Sequence, residues 1–267
     1  MRIRCLFLGL VALIDAVAAQ AAGKLLIVAD EWPQMEVLGA YLAEKGGHDV
    51  EKVEQTALPK SLSAYEGVFQ FVHGRLDDAT AEALMAYAKG GGRLIVLHHG
   101  ISSKKAETKD WMPFLGVVLD RGEDAQYRYS YIHGVRLTLV NLNPEHFITS
   151  HGVEYATTVA YMPSDQPSVA AVLPAIELEH TEVFLNHQFT DARAKTVLLG
   201  FRYADSGSGE VYMQDRAGWF KPTGNGYTFY FQLGHEVSDF QNANYCQIIL
   251  NCLAWKPDGS GGADADE

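Results

Sequence analysis

The stretch 89–100, KGGGRLIVLHHG, sets two imidazoles side by side where an apolar run breaks off. Other apolar runs end in similar groups: KLLIVAD in Asp30, GVFQFVH in His73, and GYTFYFQLGHE in His235 and Glu236. Histidine is a metal ligand and a proton carrier near neutral pH. If these runs are neighbouring parallel strands, their carboxyl ends converge on one crevice, where open α/β sheets bind ligands. His98, His73 and His235 are therefore the candidate acid/base groups and the candidate ligands of a divalent metal ion. His99, Asp30 and Glu236 are candidate substrate-binding groups. Each also has a plain structural role open to it. His98 and His99 point to opposite faces if the strand continues through them, so that one faces the crevice and the other bonds backbone in the core. His73 can satisfy a loop carbonyl, Asp30 can cap the first helix, and Glu236 can be a solvated carboxylate at a helix start.

Other chemistry finds less support. The chain has no G-x-x-x-x-G-K-[ST], no G-x-S-x-G and no H-E-x-x-H, and KGGGR precedes a strand instead of following one. Ser102 and Ser103, just past the paired histidines, offer a serine nucleophile and so a plain hydrolase as a third reading. Cys246 and Cys252 lie six apart in an apolar, helical-looking stretch. That spacing separates them by about 9 Å of rise and about 120°, too far for a disulfide, and predicts buried free thiols.

The elements that must position these groups follow from periodicity. Residues 24–30, 67–73 and 93–99 are continuous apolar runs, as expected of strands buried on both faces. Between them, Met35, Leu38 and Leu42 recur at helical spacing behind Pro33, and DDATAEALMAYAKGGG has acids at its start and glycines past its end. Strand and helix in alternation predict crossover units and a parallel sheet. The middle is less regular: DWMPFLG reads as a short helix, and SVAAVLPAIEL and KTVLLGFRY as extended. In YRYSYIHGVRLTLV, Tyr127, Tyr129 and Tyr131 fall on one face. Tyr227, Phe229, Phe231 and Leu233 share another face. A final helix near 242–255 carries Tyr245, Ile248, Ile249 and Cys252 as its apolar stripe.

The 267 residues carry a formal net charge of −12. An acidic surface repels phosphate backbones, which excludes nucleic acid as a partner. Residues 1–19 read as a signal peptide: a basic MRIR, the apolar CLFLGLVALI, which is too short to span a bilayer, and small residues for cleavage near Ala19. Its removal leaves a chain of net charge −13, with no transmembrane segment, secreted or in the periplasm. Residues 20–256 form one domain, and 257–267 a polar, glycine-rich tail that cannot pack.

The segments FVHGRLDDATAEALMAYAKGGGRLIVLHHG, DWMPFLG, HFITSHG and GWFKPTGNGYTFYFQLGHEVSDF…YCQIILNCLAW resemble the ThuA-like (trehalose utilisation) family in order and spacing, from about Lys24 to Trp255. The resemblance implies a flavodoxin-like, class I glutamine amidotransferase-like three-layer sandwich with a mostly parallel central sheet. In those amidotransferases a cysteine occupies the tight turn after the central strand, where this chain has His98. Glutamine hydrolysis through a thioester is therefore not expected. The family is associated with catabolism of disaccharides and their 3-keto derivatives, which implies a small-molecule carbohydrate as partner. An acidic DE-x-Y element of the family appears here as TVAY (158–161), with Tyr161 kept as a substrate-binding candidate and the acids missing; Glu154 is a substitute for them. HPIT appears as HFIT (146–149). The missing acids leave two readings open: an enzyme of carbohydrate breakdown, hydrolase or lyase, or a non-catalytic sugar- or metal-binding module.

Overall fold

Strand β1 (Lys24–Ala29) shows why an unbroken apolar run is a strand here: Leu25, Ile27 and Ala29 enter one core, and Leu26 and Val28 the other. Full burial of each such aliphatic side chain stabilises by about 1.5–3 kcal/mol. The computed structural model describes residues 23–123, 128–162, 170–191 and 195–257. The leader assigned to residues 1–19, Tyr127, and the tail from 258 on lie outside the described residues.

From β1 the chain forms α1 (Trp32–Gly46), β2 (Asp49–Val53), β3 (Gly67–Phe71), α2 (Asp78–Lys89) and β4 (Arg93–Leu97). All contacts among β2, β1, β3 and β4 are parallel. Helix α1 has Pro33 in its first turn and buries Met35, Leu38 and Leu42, as their spacing predicts. Next come α3 (Trp111–Leu115), β5 (Val117–Val118), β6 (Ser130–Asn141), α4 (Phe147–Ser150), β7 (Thr157–Tyr161), β8 (Ala171–Leu185), β9 (Gln188–Phe189), β10 (Thr196–Ala204) and β11 (Val211–Thr223). The chain then closes with β12 (Gly226–Phe231), α5 (Val237–Gln241) and α6 (Ala243–Ala254). Among the described residues, no helix is long and apolar enough to cross a membrane.

The expected mostly parallel sheet is not what forms. Ten strands lie in the order β2-β1-β3-β4-β12-β11-β10-β6-β8-β7, and five of the nine neighbouring pairs are antiparallel. The strand–helix rhythm of residues 24–97 does not continue. Beyond β4 the strands follow one another with few helices between them, and β11 reaches β12 through the two-residue turn Gly224-Asn225, which forces an antiparallel pair. Strand β12 then returns parallel to β4, so the antiparallel half is an insertion between two neighbours. Helices α1 and α6 pack on one face, and α2 and α3 on the other. Helix α6 buries Tyr245, Ile248, Ile249 and Cys252, and both cysteines are free and buried.

Candidate functional site

Beyond Leu97 the strand stops. A 3-10 turn over His98–Ile101 replaces it, and His98 takes the left-handed region at φ 39°. Such a conformation costs a non-glycine residue about 1–3 kcal/mol. Here it is held by hydrogen bonds: the Tyr230 hydroxyl donates to the His98 carbonyl (3.2 Å), and the Trp111 indole to the Gly100 carbonyl (2.8 Å). A Cβ at Gly100 would lie 2.1 Å from Val96 Cγ1, so the turn needs glycine. Because the chain coils, His98 and His99 do not part to opposite faces. Both reach the same carboxylate, that of Glu182.

Glu182, on β8, is 2% exposed and forms the hub of the site. Its Oε2 lies 2.7 Å from His98 Nε2, 3.0 Å from His235 Nδ1 and 3.8 Å from His99 Nε2, and its Oε1 lies 3.4 Å from His133 Nδ1 on β6. The His98 Nδ1–H donates to the Gln232 carbonyl (2.6 Å), since a carbonyl can only accept. His98 Nε2 therefore faces Glu182, and a proton or another cation must lie between them. The His98 ring also stacks on Phe184, with centroids 4.7 Å apart. The His235 contact is a close ion-pair approach without hydrogen-bond alignment. Gly234, at φ 143°, lets this loop pass close by: a Cβ there would sit 3.2 Å from His98 Cβ. Asp239 secures the loop, its Oδ2 accepting from the N–H groups of Gly234 (3.0 Å) and Glu236 (3.2 Å) and from the hydroxyl of Thr181 (2.9 Å), the neighbour of Glu182.

Burial alone would raise the Glu182 carboxyl, but the closely approaching imidazoles of His235 and His98 outweigh it and bring it down to about 2. Glu182 in turn holds the His235 imidazolium above its ordinary range. His99 is pushed far down, first by burial and then by the imidazoles of His98, His73 and His235. It stays neutral, with a buried Nδ1 that has no hydrogen-bond partner.

The other residues singled out by sequence divide. His73 is brought in: its ring stacks on His99 (4.0 Å between centroids), and its Nδ1 lies 2.6 Å from Glu31 Oε1. Asp30 does not cap α1. It accepts the backbone N–H of His73 (2.6 Å) and of Gly74 (2.8 Å), and so shapes the loop that carries His73. The fully buried Lys105, lowered to about 8 by burial, donates to the Gly74 carbonyl (2.6 Å) on the same loop. Glu236 caps α5 and lies 3.9 Å from His235 Nε2 and 3.6 Å from His180 Nδ1. Tyr161 is not brought to the cluster; its hydroxyl lies over Gly200 of β10. Glu154 is exposed, its backbone N–H bonded to Asn244, and supplies no acid to the site. The Ser102 hydroxyl donates to the His99 carbonyl (3.0 Å), which leaves it unpaired with any imidazole, and the Ser103 side chain lies outside the described residues.

Sequence reasoning missed Glu182, Glu31 and His133. Glu182 had one signal, a lone acid opening the apolar run EVFL, the mirror image of a histidine closing one. A cavity of about 190 Å³ fronts the cluster, lined by His73, His99, His133, Glu182, Phe184 and His235 among others. His98 is fully buried behind Glu182 and does not line it.

His98, His99, Glu182 and His235 each present one ligand atom, all within 4.8 Å of one another. Three imidazoles and one carboxylate suit a divalent transition metal. One observation fits such an ion: the Nδ1–H bond to a carbonyl leaves His98 Nε2 as the coordinating atom, the usual support of a metal-bound histidine.

The family model described as "ThuA: Trehalose utilisation" matches residues 23–256. Among solved structures, a protein named as ThuA-like from Bacteroides uniformis superposes with a TM-score of 0.59 at 16% identity, covering 89% of this chain and 93% of that one. A β-galactosidase from Bacillus circulans (TM-score 0.55, 11% identity) and the carbohydrate deacetylase Agd3 (0.55, 14%) match 88% and 87% of this chain. The chain spans only about a third of their length, 31% and 32% respectively. These likenesses show the fold alone. No curated protein matches the chain.

Proposed function

Since this chain belongs to the ThuA family, we propose that it acts on a small carbohydrate, a disaccharide or its 3-keto derivative, in the cavity fronted by Glu182 and its imidazoles. The carrying observation is the convergence of four imidazoles from three separate segments on one buried carboxylate that faces this cavity. His98, His99, Glu182 and His235 would hold a divalent ion, which when bound supplies Lewis acidity toward a sugar oxygen.

Proton transfer falls to His73. Glu31 fixes its ring through Nδ1, which leaves Nε2 free to exchange a proton with the substrate. A carbonyl on a sugar ring acidifies the C–H beside it, and imidazole is a base of suitable strength for that proton. Asp30 and Lys105 hold the His73 loop in place. The basic start and apolar run of residues 1–19 support a setting outside the cytoplasm.

The test pairs turnover of a 3-keto disaccharide with elemental analysis and circular dichroism. His98→Ala is expected to lose both the ion and turnover with its dichroism unchanged. His73→Ala is expected to keep the ion and lose turnover by about 10²-fold or more. Undiminished turnover in His98→Ala overturns the reading. The missing acids at 158 and 159 favour a second reading, a sugar- or metal-binding module. Calorimetry that finds sugar binding without product over long incubation would select it.

A further inference from the structure

The histidine cavity, about 190 Å³, is smaller than the about 300–1,000 Å³ that small-molecule sites usually occupy. It does not end at its own rim. Tyr129 and Tyr131 also wall an open groove of about 800 Å³. From this continuity we infer that the groove is an extended saccharide subsite, selective for a sugar chain that carries a carboxylate, as a uronic acid does, beyond the ring seated among the histidines. The inference rests on the carbohydrate reading above and adds the substrate class.

Three features carry it. The first is charge: in a chain of net charge −12, this groove is lined by Arg121 and Arg128, both exposed residues. Neither has a carboxylate partner among the described residues, and the one acid on the wall, Glu210, accepts the Tyr212 hydroxyl (2.9 Å). An arginine fork matches a carboxylate with two parallel hydrogen bonds. The second is the aromatic wall. Tyr131 is 52% exposed, a large ring left open to solvent at the junction of cavity and groove, and it offers a flat face to the apolar side of a pyranose. The third is that the wall is built. The Arg121 guanidinium lies over the Tyr129 ring at 5.0 Å. The Asn186 amide donates to the Arg128 carbonyl (3.1 Å), while its own oxygen accepts from Gln214 (2.5 Å), which ties this backbone to β11.

The experiment is calorimetry with trigalacturonate and with maltotriose as the neutral match. Trigalacturonate is expected to bind the wild-type protein at least tenfold more tightly, and the preference should shrink as salt is added. The double variant Arg121→Gln/Arg128→Gln should lose the preference. Arg121→Lys/Arg128→Lys, which keeps the charge but not the fork, should retain part of it. Tyr131→Ala should weaken both trisaccharides. Equal affinity in the wild type, no binding of either, or a preference that survives the double glutamine variant each overturns the inference. None of these outcomes touches the ion and turnover measurements on His98→Ala and His73→Ala, so the two readings fail separately.

Discussion

His98 Nε2 and Glu182 Oε2 lie 2.7 Å apart although 84 residues separate them in the chain, and both side chains are buried. His98 is fixed from its other side by the Gln232 carbonyl, so the pair cannot relax by rotating the ring. Whatever cation sits at Nε2, proton or metal, is held by a carboxylate that is itself 2% exposed.

Removing the carboxylate should therefore be costly. Glu182→Ala leaves His98 and His235 without their counter-charge, and loss of one member of a buried ion pair typically costs about 3–5 kcal/mol. Glu182→Gln preserves the shape and should cost less stability, yet still weaken ion binding by more than about a hundredfold, since a ligand and not merely its outer support is altered. Thermal unfolding and metal titration of both variants check this. Wild-type metal affinity in Glu182→Gln would place the ion elsewhere.

Stability should fall on the acid side of pH 6.5, for reasons of sign. His187 is fully buried and lowered to about 3 from 6.5, by burial first and then by Arg216 and Lys195. Below pH 6.5 the unfolded chain takes a proton that native His187 refuses, so this group alone lowers stability by about 1.4 kcal/mol per pH unit as pH drops toward 3, and His99, also pushed down by burial, adds to the loss. Glu182, lowered to about 2 from 4.5, adds a second loss as pH falls through that interval. His235 works the other way: its value is raised, so its contribution is complete below 6.5 and disappears as pH rises through the folded value. Denaturant midpoints from pH 6.5 down to 4 should show the fall, and His187→Phe should make the acid limb between 6.5 and 4.5 shallower by about 1.4 kcal/mol per pH unit. An unchanged acid limb in that variant refutes the assignment.

Asp30 is expected to matter as a positioning residue. Asp30→Ala removes both acceptors from the His73 and Gly74 N–H groups and should destabilise by about 1–3 kcal/mol. It should lower kcat more than it raises KM, because it displaces the proton carrier and not the ion. Asp30→Asn keeps one acceptor and should recover part of the loss. Steady-state kinetics with both variants, alongside elemental analysis showing the ion retained, make the check; loss of the ion in Asp30→Ala would argue against a positioning role.

Three of the four strands in the parallel part of the sheet, β1, β3 and β4, were legible from local signals; the half-exposed edge strand β2, DVEKV, was not. Residues 24–97 alternate apolar runs with well-punctuated helices, and a parallel strand buried on both faces has no other way to look. The strand ends named Asp30, His73, His98, His99 and His235 on the same argument. The antiparallel half was not legible in this way. Its strands, such as β8 with its mixed run ELEHTEVFL, carry no helix between them to announce a crossover, and their partners are chosen by tertiary pairing. Tyr161 shows the same limit from the side of resemblance: a matched residue in a matched segment, carried by β7 to Gly200 instead of to the histidines.

Chain order alone determined which groups could do chemistry and that several would stand at strand ends, because burial periodicity and helix punctuation are written residue by residue. Only the folded molecule decided that β12 docks beside β4, that a 3-10 turn swings His98 and His99 to the same side, and that Glu182 arrives from the inserted strands to bind them. Those outcomes depend on pairings across 84 to 134 residues of separation, and no local pattern encodes which distant strand will supply the countercharge to a buried imidazole.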